Sequence, residues 1–350
     1  MKSAAPPECG VLAGVQGRAW HECIPLHVSL ELTLRCNLRC SHCYNFDRDA
    51  PRPARAPELA FDEILRLMDD LRSAGTLFLS LTGGEPMTHP RFWDLLDEAA
   101  RRRFAVTLLT NGTLLEDGDV DRLARHRNLW QVSLSLYGAT AATHEGITRT
   151  EGSFRRTTDG ARRLRARGIP SMLKFLIQEA NAGETAAMIG MAGEMDLPCV
   201  VDTSLTARYD GASAVPEGRL GPAALEALYR GPLQPLLTRG DPDPSDDDFK
   251  CNCARGNAAV SSSGDVWPCI AAPVPAGNIR ERRFGGIWND SPVFRRIRGL
   301  RLADFATCAP CRLKAWCNRN PGTPWLLRGD YTGADPWTCR EAEIIRGILG

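Results

Sequence analysis

Lysine is almost missing from this chain. It stands only at Lys2, Lys174, Lys250 and Lys314, so nearly all of the 43 cationic side chains are arginine. They are matched by 42 acidic residues, and the formal net charge is +1. No excess of one sign is left to draw the chain onto nucleic acid or an anionic bilayer. Runs such as Arg101-Arg102-Arg103 and Arg162-Arg163 fall on helical spacing and read as solvated faces. A long apolar run is missing as well. Nothing approaches the roughly 20 residues that cross a bilayer. Residues 1–20 mix Pro, Gly and Glu where a secretory signal would carry an apolar core. Internal repeats and low-complexity arrays are absent too. Together these absences predict a cytoplasmic protein with neither nucleic acid nor membrane as a partner. With 350 residues, 43% hydrophobic and 24% charged, the chain is long enough for one large domain and a smaller one.

Cysteine, by contrast, is plentiful: there are 13. In a chain without a secretory signal, clustered cysteines read as metal ligands rather than disulfides. Cys199 lies in an apolar run and reads as a small buried hydrophobe. Cys9 and Cys23 stand apart and receive no role. The densest group is Cys36, Cys40 and Cys43, spaced Cys-x3-Cys-x2-Cys directly after the apolar run Val28–Leu34. Thiolates favour iron–sulfur clusters or zinc. A closed zinc site wants four protein ligands. Three thiolates on one short loop suit a four-iron cluster with one iron left open. This motif resembles that of the radical S-adenosylmethionine (radical SAM) superfamily, Cys-x3-Cys-x-aromatic-Cys, with His42 in the aromatic position.

The following segments alternate between strand-like and helix-like. Strand patterns cover Val28–Leu34, Thr76–Thr82, Phe104–Thr110, Trp130–Leu136, Ile169–Gln178 and Pro198–Ala207. Helical spacing covers Phe61–Ala74, Arg91–Arg102, Asp117–Arg125, Ser153–Arg167 and Gly183–Met195. Such alternation predicts a parallel α/β sheet with covering helices. Six units make a partial (β/α)6 TIM-type barrel, with its site at the carboxyl ends of the strands. The expected domains are an N-terminal extension over 1–27, the partial barrel over 28–210, a linker over 211–250 and a cysteine-rich domain over 251–350. The linker is rich in Pro, Gly and Asp and carries one helix near Pro222–Tyr229.

The resemblance extends beyond the first cysteines. Thr82-Gly83-Gly84-Glu85-Pro86 matches the family's Gly-Gly-Glu-Pro motif, which implies a site for the methionine amine of S-adenosylmethionine. Glycine lets backbone approach a ligand, and Glu85 offers an acceptor to an ammonium. Ser133 and Ser135 share one strand face, and the resemblance implies Ser135 for the ribose hydroxyls. It also implies Arg149 for the methionine carboxylate and Asn111, in Thr-Asn-Gly, at the pocket border. Lys174 sits mid-strand and either enters the barrel or snorkels outward. The implied chemistry is one-electron cleavage of S-adenosylmethionine to a 5′-deoxyadenosyl radical. The cofactors supply that chemistry and the protein binds and orients them.

Residues 251–350 resemble the SPASM extension, which ordinarily holds two auxiliary [4Fe-4S] clusters. Cys253, Gly264 and Cys269 match its first half, and Cys308, Cys311, Cys317 and Cys339 its second. A zinc ribbon is the alternative reading of such pairs. One departure stands out. After Cys317 the expected cysteine is replaced by Asn318-Arg319-Asn320-Pro321. Cys308, Cys311, Cys317 and Cys339 supply four ligands for one cluster. The other is left with Cys251, Cys253 and Cys269 and an iron open to water, substrate or Asn320, unless that cluster is absent.

The resemblance implies a radical SAM/SPASM oxidoreductase, with a peptide substrate and a crosslink or other modification as the first expectation (RiPP maturation). A small-molecule substrate is the second, and a non-catalytic iron–sulfur or zinc protein the third. A sulfatase-maturing role is disfavoured because Ile270, not an acidic residue, follows Cys269. Only 27 residues precede the first strand, short of the about 80 of a fused leader-binding domain. Either a separate leader-recognition protein or a substrate that needs no leader is therefore expected, with a flavodoxin or ferredoxin as electron donor.

Overall fold

The computed structural model describes residues 10–45, 47, 56–209, 218–237 and 251–350. Cys9 and half of the expected linker, including Lys250, lie outside the described residues.

Period-two runs of β-branched and apolar residues build the sheet. Strands β1 (His27–Thr33), β2 (Phe78–Gly83), β3 (Ala105–Thr110), β4 (Leu129–Leu136), β5 (Ser171–Leu176) and β6 (Cys199–Asp202) pair in parallel and in chain order. The two edges do not meet, so the sheet is an open partial barrel. Leu30, Leu81, Leu108, Leu134 and Phe175 face outward beneath the helices and are buried. The helices between the strands are α2 (Phe61–Ser73), α3 (Phe92–Arg101), α4 (Asp117–Leu123), α5 (Ala141–Thr148), α6 (Ser153–Ala166) and α7 (Thr185–Glu194). In α2 the buried face is Ile64, Leu67, Met68 and Leu71, the three-and-four spacing of an amphipathic helix.

Three features differ from the sequence reading. Gly10–Glu22 forms a helix, α1, despite its three glycines and an exposed Val11, which hide its helical pattern. α5 is equally silent because it holds a Gly and two Thr. The third concerns the cysteine-rich segment. Its strands β7 (Asn257–Val260), β8 (Asp265–Trp267) and β9 (Gly277–Asn278) continue the barrel sheet, β7 pairing in parallel with the free edge of β1. Covering that edge removes an unpaired row of backbone groups.

The remaining helices are α8 (Pro222–Arg230), α9 (Phe284–Asp290), α10 (Pro292–Gly299), α11 (Gly322–Arg328) and α12 (Pro336–Leu349). Among the described linker residues, α8 matches the expected helix. α12 is pinned back to the barrel by a buried cluster. Glu341 Oε1 accepts Thr203 Oγ1 at 2.8 Å and the Tyr229 hydroxyl.

Arg280 ties the C-terminal segment to α2. Its guanidinium meets Glu63 in two parallel bonds, 2.7 and 3.0 Å, and reaches the carbonyls of Pro57 and Glu58. The pairing holds the Glu63 carboxyl down at about 2. We expect Arg280→Met to lower the unfolding free energy of the anaerobic protein at neutral pH by about 1–2 kcal/mol, given the pair's partial exposure. Denaturant titration of parent and variant checks this.

Candidate active site

The site lies where the strands end. β1 runs into the loop carrying Cys36, Cys40 and Cys43, and β2 runs into Gly83-Gly84-Glu85. These two loops touch. Gly84 N–H donates to the Thr33 carbonyl at 2.7 Å and Glu85 N–H to the Arg35 carbonyl at 2.8 Å. A Cβ on Gly84 would stand 2.3 Å from the Arg35 carbonyl oxygen, and one on Gly83 2.2 Å from that of Thr33. Gly83 also has φ +137°, which side chains rarely adopt. Glycine is thus required by the cysteine loop beside it. On its far side, the loop is held by Arg39 and Ser41 N–H groups on the carbonyls of Thr148 and Ile147, both 3.0 Å, at the end of α5.

Asn111, after β3, locks the loop from a third direction. Its Nδ2 donates to Asn37 Oδ1 at 2.9 Å and stands 3.9 Å from Cys36 Sγ, while its Oδ1 accepts Thr113 N–H at 2.9 Å. Leu38 N–H also points at Cys36 Sγ, 3.4 Å away. N–H donors of this kind favour a thiolate.

One pocket joins these pieces. Its walls include the three cysteines, Thr82, Gly83, Gly84, Asn111 and Ser135. Residues the sequence reading passed over also line it, chiefly Asn45 and Tyr137. Asn45 Nδ2 donates to the Gly83 carbonyl at 3.3 Å. Tyr137 was legible in principle, since it follows Ser135 by two on the same strand face. Its ring meets His42 edge-on, centroids 4.4 Å apart, and its hydroxyl bonds to the Ser135 side chain. Burial and the nearby cysteines raise that phenol far above its ordinary value. His42 is pushed down to about 4 by burial and by His144, so it is neutral near pH 7.

Three residues expected to contact the cofactor, Glu85, Pro86 and Arg149, are not among the lining of this pocket. The Glu85 side chain is fully buried and turned from the pocket. Its two oxygens accept Thr110 Oγ1 at 2.9 Å, Asn111 N–H at 2.7 Å and Met87 N–H at 3.1 Å. It braces the end of β2 against β3 and leaves the Thr82–Gly84 backbone to face the pocket. Pro86 is buried and starts a short turn after the motif. Arg149 is exposed, with φ 51° at the end of α5, and does not line the pocket, because the chain reverses there. Lys174 is resolved by register. It pairs with Ser135, so it shares the inner face of the barrel, where its Nζ stands 3.8 Å from Asp202.

The C-terminal cysteines form two further groups. Cys308, Cys311, Cys317 and Cys339 are mutual neighbours. Burial, followed by those three thiols, pushes Cys317 up to about 12. Cys251, Cys253 and Cys269 form the other, with Cys253 and Cys269 Sγ 3.0 Å apart. Asn320 does not join them, because its Oδ1 accepts Gly322 N–H at 2.9 Å. Among the described residues no three His, Cys, Asp or Glu side chains converge tightly enough to hold a single metal ion. The donors in all three groups are soft sulfurs, the set that suits iron–sulfur clusters. An aromatic contact joins the first loop to this region. Tyr44 and Tyr209 rings lie 4.9 Å apart, Tyr209 and Trp267 5.9 Å, and the Tyr209 hydroxyl donates to the Ile270 carbonyl. No described helix is long and apolar enough to cross a membrane.

The family model for the radical SAM superfamily matches residues 30–184. The SPASM model, an iron–sulfur cluster-binding domain, matches residues 251–313. The AdoMet-dependent heme synthase of Methanosarcina barkeri is 29% identical over 339 residues, covering 89% of this chain and 96% of its own. The PqqA peptide cyclase of Gluconobacter oxydans is 30% identical over 332 residues, covering 89% and 90%. Among solved structures, Streptococcus suis SuiB bound to its precursor peptide SuiA superposes with a TM-score of 0.68 at 16% identity, covering 97% of this chain and 82% of that one.

Burial raises Glu85 from 4.5 to about 7, outweighing the three donors that favour its ionised form. Between those values the folded chain holds a proton that the unfolded chain has lost, so stability falls as pH rises through that window. The total is about 3 kcal/mol by linkage. We expect Glu85→Gln to flatten this slope in anaerobic thermal denaturation between about pH 4.5 and 7. An unchanged slope would place the titration elsewhere.

Proposed function

From the premise that the chain belongs to the radical SAM superfamily and carries a SPASM domain, we propose that it is a peptide-modifying oxidoreductase that uses S-adenosylmethionine. The observation that carries this reading is the meeting of Cys36, Cys40 and Cys43 with the Gly83-Gly84 backbone in one pocket at the strand ends. Bound there, a [4Fe-4S] cluster and S-adenosylmethionine would supply one-electron carbon–sulfur cleavage and a hydrogen-abstracting 5′-deoxyadenosyl group.

The chain's own part is to hold and orient. The three thiolates would ligate the cluster. Thr82, Gly83 and Gly84 line the space where the methionine ammonium would sit. Ser135 and Tyr137 hydroxyls stand on the wall suited to the ribose, and neutral His42 packs behind Tyr137. The barrel's inner face beyond them, with Ser133, Lys174 and Asp202, is the side open to a substrate. The two C-terminal groups would hold auxiliary clusters. A flavodoxin or ferredoxin in the cytoplasm, and a separate leader-recognition protein, complete the proposed system.

Peptide as the substrate class is supported by the relatives named as a PqqA peptide cyclase, a mycofactocin maturase and a biosynthesis protein of the bacteriocin subtilosin. The heme synthase relative supports a second reading, a small-molecule substrate. Lys174 on the inner face is compatible with a carboxylate on either.

Anaerobic protein reduced with dithionite should release 5′-deoxyadenosine from S-adenosylmethionine, and the triple variant Cys36→Ala/Cys40→Ala/Cys43→Ala should release none. Cleavage surviving in the triple variant would defeat the assignment. A rise in 5′-deoxyadenosine on adding a short peptide encoded beside the gene would favour the peptide reading. A response to a haem precursor instead would favour the second.

A further inference from the structure

The chain has only five tyrosines, and none is exposed. Buried phenols normally find a partner. Tyr229 meets Glu341, Tyr209 meets the Ile270 carbonyl, and Tyr137 meets Ser135. Tyr331 is different. It is 6% exposed, and its hydroxyl is buried without a hydrogen bond of normal geometry. The groups it faces are sulfurs, those of Cys251, Cys253 and Cys269.

Its placement is held from the backbone. The Tyr331 carbonyl accepts Arg319 Nη2 at 3.1 Å, and the same nitrogen reaches the Gly333 carbonyl at 3.2 Å. Arg319 in turn lies flat on Phe305, 3.7 Å from the ring centre. Asp330 Oδ1 accepts Thr332 N–H at 2.9 Å and tightens the turn around the tyrosine. Meanwhile the stretch where a fourth thiolate is expected is committed elsewhere. Asn320 caps the start of α11, and Pro321 is buried beside it. An oxygen donor is thus aimed into a group of three thiols that is one ligand short.

We propose that the phenolic oxygen of Tyr331 is the fourth protein ligand of the first auxiliary cluster, beside Cys251, Cys253 and Cys269. This rests on the reading that these thiols hold an iron–sulfur cluster. Phenolate is an established ligand of protein iron. Binding breaks the phenol O–H bond and forms an iron–oxygen bond. The proton leaves to solvent, as for any metal ligand that must be deprotonated, and no electron is transferred. The consequence is a closed site. The substrate does not bind this cluster's iron, and the barrel's inner face remains the place for it.

Resonance Raman spectroscopy of the anaerobically reconstituted full chain tests this, together with iron and sulfide analysis. The parent should show tyrosine ring modes enhanced alongside the iron–sulfur modes, and the ring modes should shift on incorporating ring-deuterated tyrosine. Tyr331→Phe should lose them. Tyr331→Cys should keep the full iron content and show a spectrum with sulfur ligands only. A parent with its full iron content but no enhanced ring modes would overturn the proposal, as would a Tyr331→Phe spectrum identical to the parent's. If replacing Cys251, Cys253 and Cys269 together by Ala removes no iron, the underlying reading of a cluster at this site fails, and the proposal with it.

Discussion

The close approach of two loops at the end of β1 and β2 governs this molecule. Gly83 and Gly84 lie against the carbonyls of Thr33 and Arg35, at distances no side chain could tolerate. That contact sets where the cysteine loop begins and leaves the Thr82–Gly84 backbone facing the same pocket as the thiols. Glu85 makes the arrangement rigid. Its carboxylate gathers donors from Thr110, Asn111 and Met87 and so fixes β2 against β3. The cost is a buried carboxyl whose pKa is raised by desolvation, a structural cost located beside a functional pocket.

The cysteine-rich segment is built onto the same frame. β7 extends the sheet from β1, Arg280 clamps the segment to α2, and Glu341 anchors α12 to the end of β6. Those attachments bring sulfur groups and the barrel mouth into one structure. Arg319 lies between the two C-terminal groups, influenced by both Cys308 and Cys251, and its charge offsets thiolates on either side. Tyr44 and Tyr209 span from the first cysteine loop toward Trp267 and Cys269.

Much of this was legible in the sequence because it depends on local periodicity. Six strands and the helix α2 follow from period two and period 3.6, and Cys36, Cys40 and Cys43 from their spacing. Ser135 and Asn111, which the family resemblance implied, line the same pocket as the thiols. What the sequence withheld depends on contacts between distant segments. Nothing local says that β7 pairs with β1, that Glu85 turns inward to meet β3, or that Arg149 is carried away by the reversal after α5. Tyr331 lies 62 residues from Cys269 with no motif around it, and only the folded chain shows what its hydroxyl faces.

The central claim is that the pocket at Gly83-Gly84 presents the methionine end of S-adenosylmethionine to the iron left open by Cys36, Cys40 and Cys43. Electron–nuclear double resonance on the reduced protein tests it directly, using S-adenosylmethionine with a ¹⁵N-labelled amine and a ¹⁷O-labelled carboxylate. The account predicts hyperfine coupling of both labels to the cluster, lost when the three cysteines are replaced. A reduced cluster that shows neither coupling in the presence of saturating S-adenosylmethionine would contradict it.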